Sequence, residues 1–309
     1  MVESPVLYVT FARPEYASES FAAIKAAKPK KLYFYSNKAR GDKPDEVRRN
    51  QEVRLLANKI DWNCELKVWF REEYVDVFTS LWGAIDWIFE NEKNAIIIEE
   101  DVVASLAFFD YMDKMLLKYS NNDKVWMVSG NNAMPQYNPQ DLSYFPTRFP
   151  DIYGWGSWQS KWKKLDKKLT FWPKFRNSQQ YSNYYDSYLQ RWFNKYYFNQ
   201  VYNNISTYNP WDFIVICNMV WNNSYCLIPN KNLSQDIGIF GTNRQLGIKS
   251  PLSKLGTTES SFLTVIEPIT IIPTEYDKRF FLSNKIGGLI ERQIIRIKLL
   301  IYRLLQFCR

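Results

Sequence analysis

Through the first 130 residues, short apolar runs alternate with stretches whose apolar positions recur at helical spacing. The runs are VLYVTF (Val6–Phe11), KLYFYS (Lys31–Ser36), ELKVWF (Glu65–Phe70), AIIIE (Ala95–Glu99) and KVWMVSG (Lys124–Gly130). Helices are predicted between them over Glu15–Lys28, Pro44–Lys59, Val77–Asn91 and Ser105–Tyr119. The second of these carries Val47, Leu55 and Leu56 amid charge, the pattern of an amphipathic surface helix. Regular strand–helix alternation predicts an α/β chain with a mainly parallel, doubly wound sheet flanked by helices. The nearly continuous apolar strands agree, because a parallel strand is buried on both faces. In such sheets ligands bind beyond the carboxyl ends of the strands. Arg13, Ser36 to Arg40, Arg71, and the triplet Glu99, Glu100 and Asp101 occupy those ends.

From Asn131 the rhythm breaks. NNAMPQYNPQDLSYFPTRFPD, rich in Pro, Asn and aromatics, reads as a long loop. IYGWGSWQSKWKKLDKK and an Asn- and Tyr-rich span, RNSQQYSNYYDSYLQRWFNKYYFNQVYNN, follow. Those rings either pack together or present stacking faces to a sugar or base. A helix is predicted to open near Asn209–Pro210, with a short strand, YCLIPN, after it. The chain ends on a basic amphipathic stretch carrying Lys285, Arg292, Arg296, Lys298, Arg303 and Arg309 against Glu291. Such a helix suits the surface of an anionic bilayer; the alternative is docking on the core or on a second subunit. The organisation expected is 1–245 (a nucleotide-binding half, 1–130, and an acceptor half, 131–245), a linker and accessory segment at 246–284, and the basic helix at 285–309.

Composition narrows the chemistry. The formal net charge of +8 favours an anionic partner. No helix-turn-helix, zinc-finger or RNA-binding motif points to nucleic acid. The chain has no histidine, which removes histidine triads, histidine metal ligands and a histidine base. Cys64, Cys217, Cys226 and Cys308 form no metal-binding spacing. Scattered cysteines suit a reducing compartment, so the sequons at Asn204, Asn222 and Asn232 are read as accidents of an Asn-rich composition. Neither a leader nor a spanning segment is read, and the expected location is the cytoplasm, peripheral to its membrane face.

Three adjacent carboxylates after a buried strand repel one another unless something positive faces them. A hard divalent cation, Mn²⁺ or Mg²⁺, suits that position: it prefers oxygen ligands, keeps several waters, and completes its shell from a substrate phosphate.

IIIEEDVVASLAFFDYM resembles the Glu-Asp-Asp segment of GT-A glycosyltransferases of the N-acetylglucosaminyltransferase-I-like type. It is more similar still to bacterial relatives in surface-polysaccharide and lipopolysaccharide assembly. FARPEY (Phe11–Tyr16) resembles that family's Phe-Asn-Arg-Pro, and REEYVDVFTSLWGAIDWIF its Arg-Glu segment and helix. VSGNN (Val128–Asn132), YGWGSWQSKWKKLD and PWDF…IPNKNLSQDIG follow in the family's order, so the resemblance spans Pro5 to Gly238. It implies a mixed, Rossmann-like sheet with a C-terminal helical extension. The implied activity is that of a metal-dependent, inverting hexosyl- or N-acetylhexosaminyltransferase. Such an enzyme moves a sugar from a nucleoside diphosphate to a hydroxyl of a glycan or glycolipid.

The resemblance implies that Asp101 ligates the metal and that Glu99 and Glu100 face donor sugar and ribose. Arg13, Ser36, Arg40 and Arg71 border the nucleotide, and Trp155, Gly156, Trp158 and Trp211 surround the reaction centre. Asp212 stands where an inverting enzyme places its base. The chain departs from the pattern in SNKAR after the second strand, in Tyr74, Val75 and Asp76 after Arg-Glu, in Glu100 for an aspartate, and in Asn243 near a missing histidine. Two other readings remain: a sugar nucleotidyltransferase, disfavoured because TFARPEYASES has no glycine, and a non-catalytic glycan- or membrane-binding relative.

Overall fold

The computed structural model describes residues 1–137, 142–207, 210–238, 257 and 274–288. Its centre is an eight-stranded mixed sheet. The strands come from β1 (Val6–Thr10), β2 (Lys31–Ser36), β3 (Glu65–Phe70), β4 (Asn94–Glu99), β6 (Val125–Ser129), β7 (Tyr144–Thr147), β8 (Trp155–Trp158) and β9 (Tyr225–Pro229). A two-stranded ribbon pairs β5 (Val102–Ala104) with β10 (Ser234–Asp236). The helices are α1 (Pro14–Ala27), α2 (Pro44–Arg54), α3 (Val77–Asn91), α4 (Leu106–Lys118), α5 (Gln159–Trp162), α6 (Trp172–Phe175), α7 (Gln179–Tyr184), α8 (Tyr188–Asn203), α9 (Trp211–Trp221) and α10 (Thr274–Phe280). A π-helical turn, Phe281–Gly287, continues α10.

The sheet order is β3-β2-β1-β4-β8-β6-β9-β7. β3, β2, β1 and β4 run parallel, as do β6 and β9. β8 is inserted antiparallel between β4 and β6, and β7 closes the sheet antiparallel to β9. Side chains alternate between two cores: Leu7, Val9 and Ile97 enter the one with α3 and α9, whereas Val6, Tyr8, Ile96 and Ile98 enter the one with α1 and α4. Burial on both faces is why these strands are continuously apolar in sequence.

Local signals set the helix starts. Pro14 opens α1 at a position that needs no amide donor. Asp76 accepts from the amides of Phe78 and Thr79 at the start of α3, and Ser105 accepts from Phe108 at the start of α4.

One predicted feature of the second half is corrected, and one strand is added that the sequence reading did not assign. The long loop contains β7, whose Pro146 is tolerated because this is an edge strand. The WGSW segment is a strand, and Gly156 is required there because a Cβ would press on the Ala95 carbonyl oxygen. Part of the expected linker is also structured. Asp277 accepts from Thr147 Oγ1 at 2.5 Å, Tyr276 donates to Asn132 Oδ1 at 2.8 Å, and Phe280 stacks on Phe149. The expected basic helix lies outside the described residues beyond Gly288, as do Cys308 and Asn243. Among the described residues, no helix is long and apolar enough to cross a membrane.

Candidate functional site

Chain direction brings the carboxyl ends of β1, β2 and β4 to one side of the sheet, and a cavity of about 770 Å³ opens above them. Its wall includes Phe11 and Arg13 from the β1–α1 connection, Asn37 and Arg40 from after β2, and Arg49 from α2. Tyr74 and Asp76 before α3, and Glu99, Glu100 and Asp101 after β4, complete it.

The three carboxylates have different surroundings. Glu100 is buried; its Oε2 accepts the Phe11 amide at 2.7 Å and its Oε1 accepts Arg13 Nε at 2.6 Å. Its carbonyl accepts the Ser20 hydroxyl, which in turn meets Tyr8 OH. Glu100 therefore ties β1 to β4 while it also lines the cavity, with both carboxylate oxygens engaged. Asp101 accepts Arg13 Nη1 at 2.8 Å through Oδ2. Its carbonyl accepts the Ile237 amide, and a Cβ at Gly238 would collide with its carboxylate. The glycine of the Ile-Gly pair is what lets this backbone approach. Burial works against the Arg13 charge, but Asp101 and Glu100 more than offset it, so the guanidinium stays ionised.

Glu99 lines the cavity with less compensation. Burial pushes its carboxyl up to about 8, aided by Asp101, opposed by Arg13, and aided again by Asp236 and Asp212. These influences place Asp212, at the start of α9, and Asp236, at the end of β10, in the electrostatic neighbourhood of the triplet. The Asp212 carboxyl is itself raised by burial, while the Phe213 amide, its own amide and Lys285 pull it down. Lys285 also stands 3.9 Å from Asp151.

The other expected residues divide. Arg40 reaches the cavity wall, held by Glu46 and lying over the Tyr74 ring. Ser36 does not line it: its hydroxyl is buried among Asn37, Asn50 and Arg54. Arg71 is drawn away because its Nε donates to Tyr35 OH at 2.6 Å and its guanidinium lies over Trp69, against Gly83. Trp155 pairs with Ile97 near the carboxyl end of β4 and stacks on Trp211, centroids 5.3 Å apart, beside Asp212. The Trp155 indole N–H is buried without a partner. Gly156 sits deeper in the sheet. Trp158 lies opposite Asn94 at the other end of β4, its indole donating to the Leu116 carbonyl. The structure does not bring Trp158 to the cavity.

Sequence reasoning missed Arg49, Asp236 and Lys285. Arg49 donates twice to Glu15 at 2.7 Å and to the Ala12 carbonyl at 3.1 Å, bracing the loop that carries Arg13. Its place in a basic, amphipathic α2 was the available signal. Asp236 precedes the Ile-Gly pair that was noticed; the signal at Lys285 was its place in the basic stretch, which did not point to this site.

The donor set decides what cation fits. Among the described residues, no three Asp, Glu or Cys side chains form a ligand cluster. Glu100 has both oxygens engaged, which leaves Glu99 and Asp101 as the triplet carboxylates lining the cavity with an oxygen to offer an ion. A Mn²⁺ or Mg²⁺ that takes one protein carboxylate and draws its remaining ligands from a diphosphate and water fits that arrangement.

No protein-family model matches the sequence, and no curated protein matches it significantly. Among solved structures the chain is similar to a protein described as a glucose-1-phosphate thymidylyltransferase from Bacillus anthracis, in complex with sucrose. That likeness has 8% identity and a TM-score of 0.32, covering 53% of this chain and 76% of that one. It is also similar to UDP-glucose pyrophosphorylase complexed with UDP-glucose, with 8% identity and a TM-score of 0.35, covering 76% of this chain and 94% of that one. Likeness at that level leaves the geometry to carry the functional case.

Proposed function

We propose that the protein is a glycosyltransferase of the GT-A type that uses a nucleoside diphosphate sugar and a glycan hydroxyl. The observation that carries this reading is the cavity at the strand ends, where Arg13 and Arg40 face Glu99 and Asp101 while Asp212 and Asp236 adjoin. Cations on one wall suit a diphosphate, and carboxylates on the floor suit sugar hydroxyls and a divalent ion. Phe11 and Tyr74, with ring centroids 6.3 Å apart, offer apolar faces to a base.

In this reading Asp101 holds the Mn²⁺ or Mg²⁺, which when bound neutralises charge on the departing diphosphate. Arg13 exchanges part of its carboxylate pairing for phosphate oxygens. The acceptor oxygen forms its bond to the anomeric carbon as the bond to the diphosphate oxygen breaks. The hydroxyl proton passes to Asp212, giving inversion. With no histidine in the chain, a buried carboxylate of raised affinity for protons is a reasonable base.

Calorimetry with nucleoside diphosphates and Mn²⁺, joined to hydrolysis of a panel of nucleotide sugars, tests this. Asp101→Ala is expected to weaken Mn²⁺-dependent binding at least tenfold, and Asp212→Asn to lower kcat by about 10²–10⁴ with binding retained. Activity that survives both a chelator and Asp101→Ala would sink the metal role. The Arg13 clamp on Glu100 and Asp101 favours one second reading, a non-catalytic glycan-binding relative. Absence of diphosphate binding at millimolar concentration selects that one.

A further inference from the structure

Helix α8 carries a row of exposed rings that the cavity does not use. Its inner face buries Gln190, Phe193, Phe198 and Val201. On the outer face Tyr188, Trp192 and Tyr196 are 74%, 55% and 51% exposed. They are four residues apart, so they stand on one side of the helix about 6 Å from one to the next. The Trp192 and Tyr196 rings are nearly parallel, with centroids 6.2 Å apart and planes inclined by 20°. Exposed Gln200 and Asn203 continue the row. Single exposed rings are ordinary, but an aligned set is a recognition surface.

The chemistry of the row selects its occupant. An anionic bilayer needs free cations beside the rings, yet both cations of α8 are turned back onto the protein. Arg191 donates to the Ser182 carbonyl at 3.1 Å, and Lys195 donates to Asn177 Oδ1 at 2.8 Å. Leu189 is the one exposed aliphatic residue on this helix. The row is therefore aromatic, edged by the amides of Gln200 and Asn203. A pyranose presents C–H bonds of partial positive charge on one face and hydroxyls around its rim. The first suit the electron-rich face of an aromatic ring, and the second suit side-chain amides.

The helix that carries the row adjoins the helix that carries Asp212. α8 packs along α9, and Tyr197 stacks on Phe213, the residue after Asp212, with centroids 5.8 Å apart. We infer that Tyr188, Trp192 and Tyr196 form a subsite for an uncharged, multi-sugar segment of the acceptor, held beyond the sugar that reacts. Its designation as an acceptor subsite rests on the transferase reading; its capacity to bind a glycan does not.

Affinity electrophoresis through gels containing dextran, mannan or galactan tests the inference on the full chain. The wild type is expected to be retarded by at least one of these, with retention reduced at least fivefold in Trp192→Ala/Tyr196→Ala. Trp192→Phe, which keeps a ring, is expected to retain most of it. Calorimetry with a nucleoside diphosphate and Mn²⁺ is expected to be the same in all three proteins, which separates a failed strip from a failed donor site. Failure of the transferase reading would appear as absent diphosphate binding with glycan retention intact. No retardation by any of the three glycans overturns the inference, as does equal retardation of the double variant. Ring-dependent sedimentation with phosphatidylglycerol vesicles, without glycan retention, also overturns it and assigns the strip to a membrane.

Discussion

The two halves of this protein build their share of the sheet by different routes. In β1 to β4 each strand is a local apolar run and every pairing is parallel, β1 joining β2 next in the strand order and β4 about 90 residues on. In the second half, β8 joins Trp155–Trp158 to β4 and β6, and β7 joins Tyr144–Thr147 to β9, about 80 residues later. Its core is aromatic: Trp172 alone meets Phe175, Tyr181 and Phe198 edge-on. The difference teaches that a continuous apolar run marks a strand however distant its partner. Where the core is built of aromatic residues, packing among large rings takes over. The candidate site lies at the seam, with Glu99 to Asp101 supplied by the first half and Asp212 and Asp236 by the second.

Substitutions can break this comparison. The largest effect is expected at Glu100→Ala, which strands the buried Phe11 amide and removes the main partner of Arg13. Loss of a buried pair costs about 3–5 kcal/mol, read as a lower urea midpoint, whereas Asp101→Ala at the partly exposed end of the same clamp is expected to cost about 1 kcal/mol. Equal costs would show that the two adjacent carboxylates do not divide structure from binding. Next comes Gly156→Ala in the second half. Its new Cβ presses on the Ala95 carbonyl across the β4–β8 pairing, for about 1–3 kcal/mol in thermal or urea unfolding.

A pH titration of stability probes how the second half is closed. Burial raises the Asp277 carboxyl to about 7, while Thr147 and Arg148 oppose the rise and Asp186 adds to it. An unfolded aspartate titrates near 4. Between those values the folded chain holds a proton that the unfolded chain has released, so stability from this group is greatest below pH 4 and falls as pH rises through 7. The slope is expected to be roughly 1 kcal/mol per pH unit between pH 5 and 7, and Asp277→Asn is expected to flatten it. The smallest effect is expected at exposed Tyr74→Ala, under about 0.5 kcal/mol, with weakened nucleotide binding as its signature in calorimetry.

What the sequence disclosed follows the same division. Lys31–Ser36, Glu65–Phe70 and Val77–Asn91 were read to the residue, the other predicted elements of the first half shifted by one or two residues at their ends or, after Arg54, tightened into a 3-10 turn, and the short strand Val102–Ala104 was not foreseen. Trp-Gly-Ser-Trp escaped because all four residues are buried, leaving no alternation to detect. Tyr-Phe-Pro-Thr escaped because a proline reads as a break until the strand is known to be an edge. At the site, strand-end logic found Arg13, Arg40, Glu99 and Asp101. It could not tell that Glu100 turns inward while its neighbours do not, because that depends on where the chain leaves the sheet. Lys285 was legible only as a charge of the basic C-terminal stretch, since its place near Asp151 and Asp212 is fixed by the docking of α10 onto β7.

That docking also bears on how the protein avoids its own kind. The β3 border of the sheet is guarded by charge, with Glu65 and Lys67 along it. The β7 border relies instead on Pro146, which lacks an amide to offer, and on α10, whose Tyr276 covers Phe145 at 4.8 Å. A chain whose α10 has lifted presents Phe145 and Phe149 next to an unpaired strand. Through its contacts with Thr147 and Arg148, then, the Asp277 carboxyl on a short helix helps to keep that border covered.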